Sequence, residues 1–138
     1  MSRIARDEFP ALATLEDGPF SASLGLRVET AVPGRVTVRM PFAERLLNYG
    51  PPTVPIHGGA IAALVDFAAC AAVWTLAATE RSATISMAVN YTAPGVQSDL
   101  TAEAVVSRHG KRIASISVEV RDNRQSLIAE ALVTYKIA

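Results

Sequence analysis

The plainest pattern in the chain is alternation with a period of two. Residues 84–92, TISMAVNYT, set Ile85, Met87, Val89 and Tyr91 on one face, which predicts a half-buried strand. The alternation returns in residues 99–108 through Leu100, Ala102, Ala104 and Val106, and in residues 112–121 through Ala114, Ile116, Val118 and Val120. It closes the chain in residues 126–137 with Leu127, Ala129, Ala131, Val133 and Tyr135. Arg108-His109-Gly110-Lys111 and Asp122-Asn123-Arg124-Gln125 supply the turn chemistry between the last three strands, so the four are expected to form an antiparallel meander. Earlier, residues 34–42 place Val36, Val38 and Met40 inward against Arg35, Thr37 and Arg39, and residues 24–29 fit a short strand. Residues 1–19 read as an N-terminal extension with a short helix over residues 9–16.

Between these strands the period changes. After His57-Gly58-Gly59 the chain runs AIAALVDFAACAAVWTLAA, apolar on nearly every side of a helix and carrying one charge, Asp66. The stretch is long enough to raise a membrane span, but insertion scales charge about 2.5 to 3.5 kcal/mol for a central Asp and alanine returns little. A helix of this kind must be enclosed, and one curved antiparallel sheet wrapped around it satisfies the order strand, long helix, four strands. The fold class expected is α+β, with residues 1–138 as a single domain.

A charge in such a helix requires a partner or a function, because an unpaired ionised group taken out of water costs several kcal/mol. The helix start offers the complementary feature. Its first amides lack intrahelical acceptors and stand at the positive end of the helix dipole, where Gly58 and Gly59 put no side chain in the way of a developing oxyanion. The same pair would also serve a tight turn. Gly58 and Asp66 are eight residues apart, about 12 Å along one helix at ~1.5 Å per residue, too far to address one carbonyl. Either the carboxylate comes from a second copy of the chain across a two-fold axis, or Asp66 is a structural residue.

The run IHGGAIAALVDFAACAA, followed by a strand from Thr84 ending in Tyr91-x-x-Pro94, resembles the hotdog-fold acyl-CoA thioesterases of the phenylacetate-catabolism type. The resemblance covers roughly residues 20 to 137, and its most specific part is His-Gly-Gly with an acid nine positions after the histidine. It implies a long central helix wrapped by a curved sheet, homodimers that often pair into tetramers, and a site shared between subunits. It gives the Gly58 amide as polariser of the thioester carbonyl and Asp66 of the opposing subunit as nucleophile or general base. Thr84 is the hydroxyl that positions the carboxylate or water, and His57 braces the loop or hydrogen-bonds near the site. The family commonly carries an Asn about six residues before the histidine; here Asn48 lies nine before it, and PPTVP lengthens the loop. Asn48 either reaches the site by another path or caps a turn.

Coenzyme A enters as part of the substrate, so no separate cofactor is expected. Its phosphates call for cations, and Arg108, Lys111 and Arg112 cluster at one hairpin turn that either meets the nucleotide or is ordinary solvated surface. Gly59, Phe67, Tyr91 and Trp74 are candidates for the acyl side, and the spacing of Phe67, Tyr91 and Trp74 on apolar faces reads first as core. Two histidines, His57 and His109, far apart in the chain, give no metal-ligand cluster, and zero net charge gives no basic excess for nucleic acid. The single cysteine, Cys70, excludes an intrachain disulfide and reads as a small buried hydrophobe. No signal-peptide pattern opens the chain, so a cytoplasmic location is expected, with no membrane partner. Two rival activities stay open: a hotdog hydratase or dehydratase of acyl thioesters, and a binder of acyl-CoA or aromatic ligands without turnover.

Overall fold

The computed structural model describes residues 7–49, 54–76 and 81–138. Two short helices, α1 (Ala11–Asp17) and α2 (Pro19–Ser23), precede the hairpin of β1 (Arg27–Val32) and β2 (Arg35–Met40). Gly34, at φ +78°, makes the tight turn between them. A 3-10 turn (Glu44–Leu46) and the proline-rich loop lead into α3 (Gly58–Trp74), followed by β3 (Ala83–Tyr91), β4 (Leu100–His109), β5 (Ile113–Arg121) and β6 (Leu127–Lys136). All neighbouring strands are antiparallel, and α3 lies in the concave face of the six-stranded sheet, packed chiefly on β4 and β5. No helix among the described residues is long and apolar enough to cross a membrane.

The core follows the alternation. Val36, Val38 and Met40 of β2, Leu100, Ala102 and Ala104 of β4, and Ala114, Ile116, Val118 and Val120 of β5 are buried against Leu64, Val65, Ala68, Ala69 and Ala72 of α3. Alanine on the helix lets the sheet approach closely while favouring the helix itself. The helix ends at Trp74, where the Thr75 hydroxyl donates to the Ala72 carbonyl at 2.6 Å and accepts the Gly34 amide at 2.7 Å, fastening that end to the β1–β2 turn.

Strand order corrects the expected meander. The sheet runs β1-β2-β4-β5-β6-β3, so β4, β5 and β6 are a meander but β3 does not sit beside β4. The edge of β4 that β3 would need is taken by β2, with Met40 opposite Leu100, and β3 pairs with β6 at the far edge of the sheet. The first strand begins later than expected, at Arg27, because residues 19–23 form α2.

Two bulges shift faces that alternation alone cannot locate. In β3 the register shifts between Thr84 and Ser86, so Thr84 pairs with inward-facing Tyr135 and Ile85 is displaced to solvent, 54 % exposed. The face toward the helix is therefore Thr84, Met87, Val89 and Tyr91. In β6 a shift opposite Val120 and Arg121 buries Ile128 and leaves Leu127 only half-buried.

The N-terminal helices are locked on by one buried acid. Glu16, 3 % exposed, accepts the Val28 amide at 2.8 Å and faces the Arg27 guanidinium at 3.5 Å, tying α1 to β1.

Candidate active site

At the start of α3 the backbone is arranged donor by donor. His57 is the N-cap: its Nδ1 accepts the Gly59 amide at 2.8 Å, and its carbonyl accepts the amides of Ala60 and Ile61. This leaves the Gly58 amide without an acceptor among the described residues, at the positive end of a 17-residue helix. The Tyr91 hydroxyl donates to the Gly58 carbonyl at 2.7 Å, and its ring lies so close that a Cβ built on Gly58 would stand 3.3 Å from the ring carbon Cζ. A side chain at this position would push the Tyr91 ring back by a few tenths of an ångström. A cleft of about 390 Å³, bounded by Ile56, Gly58, Ile61, Tyr91 and Pro94, opens here.

Asp66 stands half-buried in the middle of α3, and one carboxylate oxygen, Oδ1, accepts the Thr84 hydroxyl. Asp66 and Gly58 are thus separate within the chain, about 12 Å apart along the helix, yet both are tied to the same strand, through Thr84 and Tyr91. In a regular strand residues 84 and 91, an odd number apart, would face opposite sides; the bulge turns both toward the helix.

Beside Asp66 lies a second cavity, of about 190 Å³, between α3 and the N-terminal helices. Cys70, one turn after Asp66, and Tyr135 line it and hydrogen-bond to each other. Burial pushes the Cys70 thiol up to about 11, with the negative charge of Asp66 adding to the rise and the Tyr135 hydrogen bond opposing it. Burial, then the thiol, holds the Tyr135 hydroxyl far above its ordinary value. Both groups are neutral near pH 7. The Trp74 indole, half-buried, donates to the Ser82 hydroxyl at 3.0 Å.

The other candidates fall in three places. Phe67 is buried in the wall of the 190 Å³ cavity. The Gly59 amide is committed to His57. Asn48 is exposed, and its amide donates to the Pro55 carbonyl at 3.1 Å within a short ladder in which Leu47 pairs with Ile56 and the His57 amide reaches Leu46. This ladder brings Asn48 back beside the helix start despite the longer spacing; residue 50 and residues 51–53 of the PPTVP loop lie outside the described residues.

Arg108, Lys111 and Arg112 are exposed around the β4–β5 turn. The Gly34 carbonyl accepts the Val106 amide at 2.8 Å and the Gly34 amide donates to the Thr75 hydroxyl, so this turn belongs to the C-terminal end of α3, a helix about 25 Å long, opposite to Gly58. Among the described residues no group of three or more His, Cys, Asp or Glu could hold a metal. Sequence reading did not place Tyr135, Leu15, Leu24 and Leu26 beside Asp66. Each occupies an ordinary core position in the linear pattern, and only the packing of α1 and α2 on α3 brings them to Asp66.

Comparison with known proteins gives consistent matches. A model of the thioesterase superfamily matches residues 56–129, which include the helix, β3 and both anchoring pairs. A Halobacterium salinarum protein classed provisionally as an esterase is 34 % identical over 109 residues, covering 77 % of this chain and 72 % of the relative. The medium/long-chain acyl-CoA thioesterase YigI of Salmonella typhimurium is 30 % identical over 139 residues, covering 86 % and 85 %. Among solved structures, a variant of the phenylacetic acid degradation protein PaaI from Thermus thermophilus superposes with a TM-score of 0.76 at 29 % identity, covering 87 % of this chain and 99 % of that one.

Proposed function

Since the chain belongs to the thioesterase superfamily and has the hotdog fold of the PaaI-like type, we propose that it hydrolyses the thioester of an acyl- or aryl-CoA at a site completed by two subunits. The observation that carries this reading is the pair of anchors on β3: Thr84 holding Asp66 and Tyr91 holding Gly58, on a strand whose outer edge is unpaired among the described residues. An unpaired edge of nine residues, with Ile85 and Tyr91 more than half exposed, is an open template for another strand.

Pairing β3 with its own copy about a two-fold axis brings the anchors together. Measured on β6, Thr84 lies opposite Tyr135, Ala88 opposite Leu132 and Tyr91 opposite Ala129, so Ala88 is midway. An axis through Ala88 sets Thr84 of one subunit against Tyr91 of the other, and so brings Asp66 of one helix to the Gly58 amide of its partner. The same rotation carries the basic β4–β5 turn of one subunit toward the helix start of the other, where a nucleotide phosphate would lie.

In this site the free Gly58 amide receives the carbonyl oxygen as it gains negative charge. The carboxylate oxygen of Asp66 not held by Thr84 draws a proton from water as it adds to the carbonyl carbon, or itself adds there. The carbon–sulfur bond then breaks and the thiolate leaves and takes up a proton; where Asp66 itself has added, water then hydrolyses the resulting anhydride, and by either route the products are a carboxylate and coenzyme A. None of these steps requires a metal. A hydratase would use the histidine to move a proton; the Nδ1 of His57 caps the helix, so only Nε2 is left for such a transfer. The test is release of free thiol from acyl-CoA, lost in Asp66→Asn. Mixing Asp66→Asn chains with chains blocked at the amide, such as Gly58→Pro, should restore activity in hybrid dimers; verified hybrids without recovery would refute the shared site.

A further inference from the structure

The bond between Asp66 and Thr84 is the first of three that join one face of α3 to the edge of the sheet. Asp66, Cys70 and Trp74 follow one another at intervals of four along the helix and so share a face. Each meets a hydroxyl: Asp66 that of Thr84, Cys70 that of Tyr135, and Trp74 that of Ser82 at 3.0 Å. Ser82 and Tyr135 also bond to each other. An indole can only donate, so the Ser82 oxygen accepts from Trp74 and the Ser82 proton is left for the Tyr135 oxygen, whose own proton goes to the Cys70 sulfur. The effects on Tyr135 agree with these directions: the bond to Cys70 makes its hydroxyl harder to ionise, and the bond from Ser82 makes it easier.

Both ends that grip Ser82 are fixed. Trp74 closes α3, and the next residue, Thr75, fastens that end to the Gly34 amide. Tyr135 is 5 % exposed and lies in β6 between Ala114 of β5 and Thr84 of β3. Thr84 has less to hold it. Only two register positions, Ala83 opposite Lys136 and Thr84 opposite Tyr135, precede the bulge, on a strand whose outer edge is unpaired among the described residues. So short a stub of edge strand opens more readily than an interior ladder.

We propose that Ser82 is a positioning residue for the catalytic carboxylate: clasped by Trp74 from the helix and by Tyr135 from the sheet, it fixes the start of β3 so that the Thr84 hydroxyl stays on Asp66 Oδ1 and Oδ2 stays free to react. The proposal rests on Asp66 being that carboxylate. The spacing suits such a clasp. Trp74 stands about 12 Å beyond Asp66 along the helix, and Ser82 about 7 Å before Thr84 along the strand. A long helical side chain leans toward the N-terminus of its own helix, which carries the indole back over the difference. Without the clasp Thr84 leaves the carboxylate, and Asp66 turns away from a carbonyl that another subunit holds in place.

The test is kcat and KM for thiol release, on whichever of acetyl-, hexanoyl-, phenylacetyl- and dodecanoyl-CoA the native chain turns over fastest. Ser82→Ala should lower kcat about tenfold and leave KM within about twofold, and Ser82→Thr, which keeps the hydroxyl, should recover most of the loss. Trp74→Phe, which keeps a ring and removes the N–H, should lower kcat in the same sense. In a Thr84→Val background, Ser82→Ala should lower kcat less than about twofold further, because its effect passes through a hydroxyl already removed. A clasp that served stability alone would lower the urea midpoint and leave the kcat of the folded variants unchanged. That result, or losses that multiply in the double variant, overturns the proposal.

A second readout does not need turnover. Crystal structures of the native chain and of Ser82→Ala show where the Thr84 hydroxyl stands. It should leave Asp66 Oδ1 in the variant; a hydroxyl still bonded there overturns the proposal. If the native chain releases thiol from none of the four thioesters, the thioesterase reading fails, and the two crystal structures still decide whether Ser82 keeps Thr84 on Asp66.

Discussion

Replacing Ala88 by cysteine tests the shared site at its geometric centre. Thr84 and Tyr91 each lie three β6 positions from Ala88, about 10 Å at ~3.3 Å per residue. If the partner's Thr84 stands opposite Tyr91, the two copies of Ala88 face each other on the axis, with Cα atoms about 4.5 to 5.5 Å apart. That lies inside the ~4.4–6.8 Å range in which a disulfide closes without moving the backbone. Neighbouring positions are sharply worse. Two copies of Val89 would be offset by two residues, about 8 Å, and two copies of Asn90 by four, about 14 Å.

The Ala88→Cys, Val89→Cys and Asn90→Cys variants, each with Cys70→Ala, should be oxidised under mild conditions and run on a non-reducing gel. Covalent dimer should form rapidly at position 88, weakly at 89 and scarcely at 90. The linked Ala88→Cys dimer should also release thiol from substrate at the same rate as its reduced form. Efficient linkage at 90 with none at 88 would place the axis elsewhere, and a chain that sediments as a monomer at assay concentrations would remove the shared site altogether.

Asp66→Asn should reduce thiol release by about 10²- to 10⁴-fold, the usual contribution of a positioned base, with an unchanged circular dichroism spectrum; activity within threefold of native would exclude Asp66. His57→Ala should cost about 1 kcal/mol in urea unfolding by uncapping the Gly59 amide, and His57→Ser should recover most of it. Glu16→Ala should cost about 1 to 3 kcal/mol by the same assay, because the buried Val28 amide loses its acceptor. With its thiol near 11, Cys70 should label about tenfold faster per pH unit between pH 7 and 10, since the thiolate reacts and its fraction rises with pH below that value. A flat profile would contradict the burial that raises it.

The sequence made the helix and most of the sheet readable because burial leaves a periodic trace: Val36, Val38 and Met40, or Ala114 through Val120, alternate without a break. What it did not make readable depends on partners far along the chain. That β3 leaves the meander follows from β2 occupying the edge of β4, a competition between strands some sixty residues apart. The two bulges are invisible because Ile85 and Leu127 look like inward residues until pairing with β6 and β5 is known. Glu16 gave no sign of burial, since its partner is a backbone amide, which every residue but proline carries. Asp66, His57 and Gly58 stood out for the opposite reason: a charge in an apolar helix and glycines at its start are locally anomalous. The leucines around the 190 Å³ cavity are locally ordinary.

The extra residue at Ile85 makes register, more than composition, the sensitive property of the first half of β3. Most substitutions at this exposed position leave Thr84 where it is. Losing Ile85 itself would leave Thr84 six residues from Tyr91, an even spacing that a regular strand turns to one face, whereas straightening the strand with every residue in place would turn Thr84 to solvent and strip Asp66 of its hydroxyl partner while leaving every named side chain of the site in the protein. Such a change would pass unnoticed in a residue-by-residue inventory of the site, so a chain of this kind is better judged by the count back from Tyr91 together with the place of the bulge than by the presence of a threonine.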